Sequence, residues 1–188
     1  LYAGLNQGDP APAPATYFGI DAFTVLQPAV NTVANGGTVS VAAGIYVGAT
    51  ISKDLSLGLQ ATTSLRGASP VISHSTGTLT ITGGELDQNT AFPTIALSGG
   101  TLILDGVTVL ESSVGNHAAI EVTAGTLDLS TFGGNTVRVR GPGGLLIDNN
   151  NAAGINAIGL VPNVWQEFAV PFDTSMLADN FAIEDRVT

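Results

Sequence analysis

Gly77-Thr78-Leu79 returns as Gly100-Thr101-Leu102 and again as Gly125-Thr126-Leu127, at spacings of 23 and 25 residues. Each copy opens a short run in which apolar residues alternate with small polar ones, and this is the period of a β-strand. A repeat of this length cannot bury a hydrophobic face alone, so neighbouring copies must stack and share one core. The sequence therefore predicts an all-β solenoid.

Aligning the repeats predicts two inward-facing sets of apolar residues. One set comprises Leu79, Ile81, Leu102, Leu104, Leu127 and Leu129. The other comprises Ile72, Ile95, Leu97, Ile120 and Val122. Strands that follow one another in consecutive coils pair in parallel, about 4.8 Å apart. We therefore expect a single-stranded parallel β-helix of about five or more coils.

A short helix is predicted before the first coil. Apolar residues recur at helical spacing at Phe23, Leu26, Val30 and Val33. Thr24 with Gln27 matches a capping box, and Asn35-Gly36-Gly37 is a stop signal. We expect the helix over about residues 25–34, as a cap on the first coil.

The length and composition of the chain fit one domain with a segment at each end. Prolines alternate along residues 9–15, which favours an extended strap or linker over residues 1–19. The β-helix is predicted over residues 20–160. Residues 161–188 are predicted to be a capping or inter-module extension, with a helix that starts around Asp179 to Asn180.

The charge balance narrows the classes of partner. The 188 residues contain 15 Asp and Glu against 5 Lys and Arg, for a net charge of −10, so a nucleic-acid backbone would be repelled. Cysteine is absent, which excludes disulfides and thiolate metal sites. No apolar run approaches the roughly 18 residues needed to span a bilayer. An acidic, lysine-poor, threonine-rich solenoid predicts a secreted or cell-surface protein.

The segment from Phe23 to Gly58 resembles the opening of right-handed parallel β-helix proteins of the pectin-lyase-like superfamily. It contains the helix, the stretch from Gly36 to Tyr46, and Ile51 to Leu57. Leu104-Asp105-Gly106-Val107-Thr108-Val109 is similar to a phrase that such proteins repeat once per coil. Matching features cover about residues 20–140. The resemblance implies a right-handed coil, most closely that of β-helix modules in large bacterial secreted or surface proteins.

The best-known members of that superfamily cleave or de-esterify acidic polysaccharides, but their motifs are missing or incomplete here. The Asn-Thr-Asp, Asp-Asp, His-Gly and Arg-Ile-Lys strings of polygalacturonase-like enzymes do not occur. Arg140-Gly141-Pro142 begins the Arg-x-Pro-x-x-Arg signature of pectate lyases, but Leu145 stands where the second Arg belongs. We therefore predict no catalytic residues. A carbohydrate-active enzyme or carbohydrate-binding module remains the alternative.

Several residue types could still carry chemistry. Arg138 and Arg140 are candidates for holding an acidic glycan, because two guanidinium groups on one face can bind carboxylate or sulfate. Asp148 is a weak calcium candidate in a run of Asn residues, and no other cofactor is expected. His74 and His117 have no neighbours at metal-ligand spacing. Carboxylates that could in principle cleave a glycosidic bond are expected on solvated faces. They are Glu85, Asp87, Asp105, Glu111, Glu121 and Asp128.

Self-association is the interaction that the sequence predicts. A solenoid exposes backbone groups at its ends, and identical modules packed head-to-tail or in tandem would cover them. Candidate contact residues are Ile103, Phe181, Ile183 and Val187. Thr78, Thr80 and Thr82 form an outward row like that of ice-binding solenoids, but Ile103 and Asp105 interrupt it in the next coil. The leading prediction is a noncatalytic structural or adhesive module whose partners are copies of itself, with an extracellular polysaccharide as the second candidate partner.

Overall fold

The computed structural model describes residues 22–67, 69–114 and 117–128, and the backbone of three later strands at 136–138, 145–149 and 182–185. The predicted strap at 1–19 and most of the extension at 161–188 lie outside the described residues. Leu129, Arg140, Phe181 and Val187 lie outside them as well.

The described elements are one helix, α1 (Leu26–Thr32), followed by strands. The first eight strands are β1 (Gly37–Val41), β2 (Gly44–Val47), β3 (Ala49–Ile51), β4 (Leu55–Leu59), β5 (Thr63–Arg66), β6 (Ile72–His74), β7 (Thr78–Thr82) and β8 (Glu85–Asp87). They are followed by β9 (Ile95–Asp105), β10 (Thr108–Leu110), β11 (Ile120–Asp128), β12 (Thr136–Arg138), β13 (Leu145–Asn149) and β14 (Ala182–Asp185).

These strands stack into a parallel β-solenoid of about four turns in the part described, fewer than the five or more predicted. Every strand pairing is parallel, and three faces result. One face stacks β1, β4, β7 and the second halves of β9 and β11. The second face is the sheet β12-β10-β8-β5-β2. The third stacks β3, β6, the first halves of β9 and β11, and then β13 and β14.

The inward columns predicted from the repeats are confirmed. Leu79 pairs in register with Leu102, and Leu102 with Leu127. On the third face Ile95 lies in register between Ile72 and Ile120. All of these side chains are fully buried, and each contributes about 1.5–3 kcal/mol by leaving water.

The first position of the repeated Gly-Thr-Leu motif requires glycine. Gly77, Gly100 and Gly125 each turn the chain between two faces with φ of +81°, +72° and +90°. A Cβ on Gly100 would lie 2.4 Å from the Gly77 carbonyl oxygen, and one on Gly125 would lie 2.5 Å from the Gly100 oxygen. Only glycine combines this backbone conformation with so close an approach of consecutive coils.

Helix α1 lies within the predicted residues, but the predicted capping box is wrong. Val25 occupies the N-cap position and makes no side-chain capping bond. The Gln27 carboxamide instead accepts from Thr50 N (2.8 Å) and donates to Thr50 O (3.0 Å). The Gln27 side chain thus hydrogen-bonds to the backbone of β3 instead of capping the helix. The apolar side of the helix, Leu26, Ala29 and Val30, is buried.

The second helix prediction is also wrong where the structure tests it. Residues 182–185, expected within a helix that starts around Asp179, form β14 and pair in parallel with β13. A helix of two turns is marginal alone, and pairing with β13 gives these residues backbone hydrogen bonds to a neighbouring strand. Within the described ranges, no helix has the length and apolar character needed to cross a bilayer.

Candidate functional site

An ion-pair cluster joins the second and third coils on the face formed by β5 and β8. Arg66 Nε donates to Asp87 Oδ2 at 2.8 Å, and Arg66 Nη2 lies 3.7 Å from Glu85 Oε1. Ser64 Oγ accepts from Arg66 Nε and donates to Glu85 Oε1, each at 3.2 Å. The Asp87 side chain is only 7% exposed, so its bond to the guanidinium is the strongest link in the cluster.

This cluster corrects one expectation about the carboxylates. Asp87, which the sequence predicts on a solvated face, is buried at the end of β8, where its carboxylate pairs with Arg66 of the neighbouring coil. Glu85 and Asp87 converge on one guanidinium. That arrangement clamps two coils together, whereas glycosidic cleavage needs an acid and a second carboxylate facing each other across the scissile bond.

Two loop segments, 88–94 and 111–114, form a corner of the third and fourth coils. Gln88 Oε1 accepts from the backbone of Asn89 (3.0 Å) and Thr90 (3.1 Å), and Ser112 Oγ donates to Thr90 O. Glu111 is fully buried beside Ser112, which corrects the expectation that it faces solvent. Here the polar side chains are enclosed because the two loops stack on each other.

The same corner presents an aromatic surface. Phe92 and His117 stack with ring centroids 6.4 Å apart and planes 13° apart. Phe92 and Val114 are exposed. His117 therefore packs against an aromatic ring of the neighbouring coil, a contact that its sequence position did not predict.

A second polar centre holds the corner where the first and second coils meet. Asn35 Nδ2 donates to Asp54 Oδ2 (2.8 Å), and Asn35 Oδ1 accepts from Asp54 N (3.1 Å). Asp54 Oδ1 accepts from Thr78 N at 2.7 Å. The Thr78 backbone bond, followed by the Asn35 bond, lowers the pKa of Asp54, and the charge of nearby His74 adds a smaller lowering.

We expect the Asp54 centre to make stability depend on acid pH. Because the folded-state pKa is lowered, the carboxylate stabilises the fold above its unfolded pKa, and this contribution is lost as pH falls through the folded pKa. The urea midpoint of the wild type should therefore fall more steeply below about pH 4 than that of Asp54→Asn. Equal slopes for the two proteins would contradict this role for the carboxylate.

His74 is buried at an inward position of β6, between Ile51 and Leu97 in register. Its Nδ1 lies 3.0 Å from Ile51 O, and its Nε2 lies 3.1 Å from Gly77 O. The ring thus links two corners of adjacent coils. Among the described residues, no group of three His, Cys, Asp or Glu could hold a metal ion.

Arg138, one of the two predicted glycan residues, and Asp148, the calcium candidate, lie on different faces. Arg138 lies in β12 and pairs in register with Leu110, in the row that continues to Asp87 and Arg66. Asp148 lies in β13, where the register aligns it with Glu121 on one side and Glu184 on the other. This row of three acidic residues on adjacent strands could not be foreseen from the repeats.

The predicted contact residues are placed only in part. Ile103 is half-buried in β9, in register between Thr80 and Asp128, which agrees with the predicted interruption of the threonine row. Ile183 lies in β14. Their part in self-association stays a prediction.

Large exposed apolar side chains are instead concentrated at the first coil. Of the five in the described residues, Ile45 (68% exposed) and Val47 (56%) lie on β2, and Val25 (48%) lies at the start of α1. We call Ile45 and Val47, which lie on the same side of β2, the first-coil patch. Sequence reasoning missed it, although a run of three apolar residues in a strand, Ile45-Tyr46-Val47, must expose one alternate set.

No protein-family model, no curated protein and no solved structure matches this chain.

Proposed function

We propose that this chain is a noncatalytic structural or adhesive module that associates with copies of itself at the end of the solenoid bounded by β2, where the first-coil patch borders the contact. The observation that carries the proposal is the exposure of Ile45 and Val47 on β2, the outermost strand of its sheet in the part described. Exposed apolar side chains that share one strand mark a contact surface more often than isolated ones do.

Head-to-tail growth is the geometry that we propose. β2 and β12 are the two outer strands of the same parallel sheet among the described strands, so a copy stacked in the same direction would continue the sheet with unchanged polarity. Such a contact uses two different surfaces and extends until rotation closes a ring. The net charge of −10 opposes this association, and salt screens that repulsion.

The handedness of the coil, the fold family and the location of the protein are part of the same proposal. We propose a right-handed β-helix of the pectin-lyase-like type, within a secreted or cell-surface protein. Its support is the helix and first two coils over residues 23–58, together with the acidic, lysine-poor composition.

The test is sedimentation velocity with negative-stain electron microscopy over a range of protein and salt concentrations. The wild type should associate more strongly as salt rises and should form filaments. Replacing both Ile45 and Val47 by Thr should weaken association at least about tenfold, since less apolar surface is buried. Val114→Thr is the matched control, because Val114 is similarly exposed but lies at the loop corner.

A monodisperse wild type at every concentration, or a double variant that associates as the wild type does, would contradict the proposal. The second candidate function is then binding or processing of an acidic polysaccharide. The exposed Phe92 ring, stacked on His117, favours that candidate because aromatic faces contact sugar rings. Binding of such polysaccharides would be the next measurement.

A further inference from the structure

The turn between α1 and β1 contains Asn35-Gly36, the dipeptide in which a backbone nitrogen most easily attacks a side-chain amide because glycine has no side chain to block it. Gly37 N donates to Ala34 O at 3.0 Å and closes the turn, with Gly36 at φ +74°. Asn35 and Gly36 are both exposed to solvent. The site therefore has the sequence and the access that spontaneous deamidation requires.

Two contacts of Asp54 oppose that reaction, one at the nucleophile and one at the leaving group. Gly36 N, the nucleophile, donates to Asp54 O at 2.8 Å. Asn35 Nδ2, the leaving group, donates to the Asp54 carboxylate at 2.8 Å. A carboxylate that accepts from Nδ2 strengthens the amide resonance, which makes Cγ less electrophilic. Its negative charge also disfavours the anionic intermediate. The Asp54 backbone N–H, which donates to Asn35 Oδ1 at 3.1 Å, instead polarises the carbonyl that is attacked, and this backbone contact does not involve the Asp54 carboxylate.

We propose that Asn35-Gly36 is a latent succinimide-forming site and that Asp54 slows the reaction in the folded protein. In the reaction, Gly36 N loses its proton to solvent base and forms a bond to Asn35 Cγ. The Cγ–Nδ2 bond breaks, and Nδ2 leaves as ammonia with a proton from water. Water then opens the ring at either carbonyl, giving aspartate or isoaspartate at position 35.

The product differs from Asn35 where it matters to the fold. The Nδ2 donor is replaced by a carboxylate oxygen facing the Asp54 carboxylate, so a hydrogen bond becomes a like-charge repulsion. Deamidation at Asn35 is therefore an irreversible change that weakens the contact between the first and second coils. The inference stands independently of self-association.

The experiment incubates the purified full chain in near-neutral buffer made with oxygen-18 water. Tandem mass spectrometry then follows conversion at Asn35. We expect Asp54→Ala to convert about tenfold faster than the wild type, the factor set by losing one hydrogen bond to a charged acceptor. Asp54→Asn, whose amide oxygen can still accept from Thr78 N, should convert at an intermediate rate. Asn31, in α1 and followed by Thr32, is the internal control.

Two further measurements make the result decisive. Circular dichroism identifies which variants are folded, and the wild type in urea gives the rate without any folded contacts. Conversion of a folded Asp54 variant at the wild-type rate would overturn the proposal. Equal rates for the folded and urea-unfolded wild type would overturn it as well. Incorporation of oxygen-18 at position 35 supports hydrolysis of the ring.

Discussion

Replacing Gly100 by Ala is expected to lower the free energy of unfolding by roughly 3 kcal/mol or more. Two costs add at this position. The backbone has φ +72°, which L-residues adopt at a cost, and the new Cβ would lie 2.4 Å from Gly77 O and 2.8 Å from His74 Nε2. Consecutive coils would have to separate at this corner. Urea unfolding followed by far-ultraviolet circular dichroism measures the change.

Alanine substitutions at two other glycines separate the cost of the backbone conformation from the cost of the steric overlap. Gly106 has φ +65°, but its added Cβ would come no closer than 4.0 Å to any other atom, so Gly106→Ala should cost about 1 kcal/mol from the backbone alone. Gly58 has no positive φ, and its Cβ would lie 3.7 Å from Thr82 Oγ1, so Gly58→Ala should change stability by less than about 0.5 kcal/mol. If Gly100→Ala costs no more than Gly106→Ala, the close packing of the coils at Gly100 does not limit stability.

The solenoid architecture was predictable because the short Gly-Thr-Leu motif marks both a corner and the strand that follows it. The glycine marks the corner, and the alternating residues after it mark the strand, so aligning three phrases was enough to place Leu79, Leu102 and Leu127 in one column. Such local signals repeat along a solenoid, and each coil contacts only its neighbours. An incorrect prediction for one segment therefore does not affect the predictions for the other coils.

The polar contacts were much less predictable, since they join residues whose pairing depends on the register between coils. The sequence pattern predicts a helix-capping role for Gln27, but its side chain bonds to Thr50, which lies 23 positions later. Arg66 joins Asp87 of the next coil, a pair that follows only from the register between β5 and β8. Residues 182–185 show that a short apolar pattern fits helix and strand equally well until a neighbouring strand is available.

His74→Ala is the second change expected to be strongly destabilising, by about 3 kcal/mol. The substitution removes a ring from an inward column and leaves a cavity between Ile51 and Leu97. It also removes the ring nitrogens that lie within hydrogen-bond distance of Ile51 O and Gly77 O. The measurement is again the urea midpoint and slope.

His74→Leu distinguishes the hydrogen bonds from the packing. Leucine restores most of the volume in a column of apolar residues but cannot donate to either carbonyl. Those carbonyls keep other donors, Ser75 N to Ile51 O at 3.4 Å and Thr101 N to Gly77 O at 2.8 Å, so the remaining loss should be about 1–2 kcal/mol. Ile51→Leu is the control for a change of shape in the same column and should cost less than about 1.5 kcal/mol. A His74→Leu protein as stable as the wild type would mean that the ring only fills space. A loss close to that of His74→Ala would mean that the polar contact between coils, rather than volume, is what the fold requires at this position.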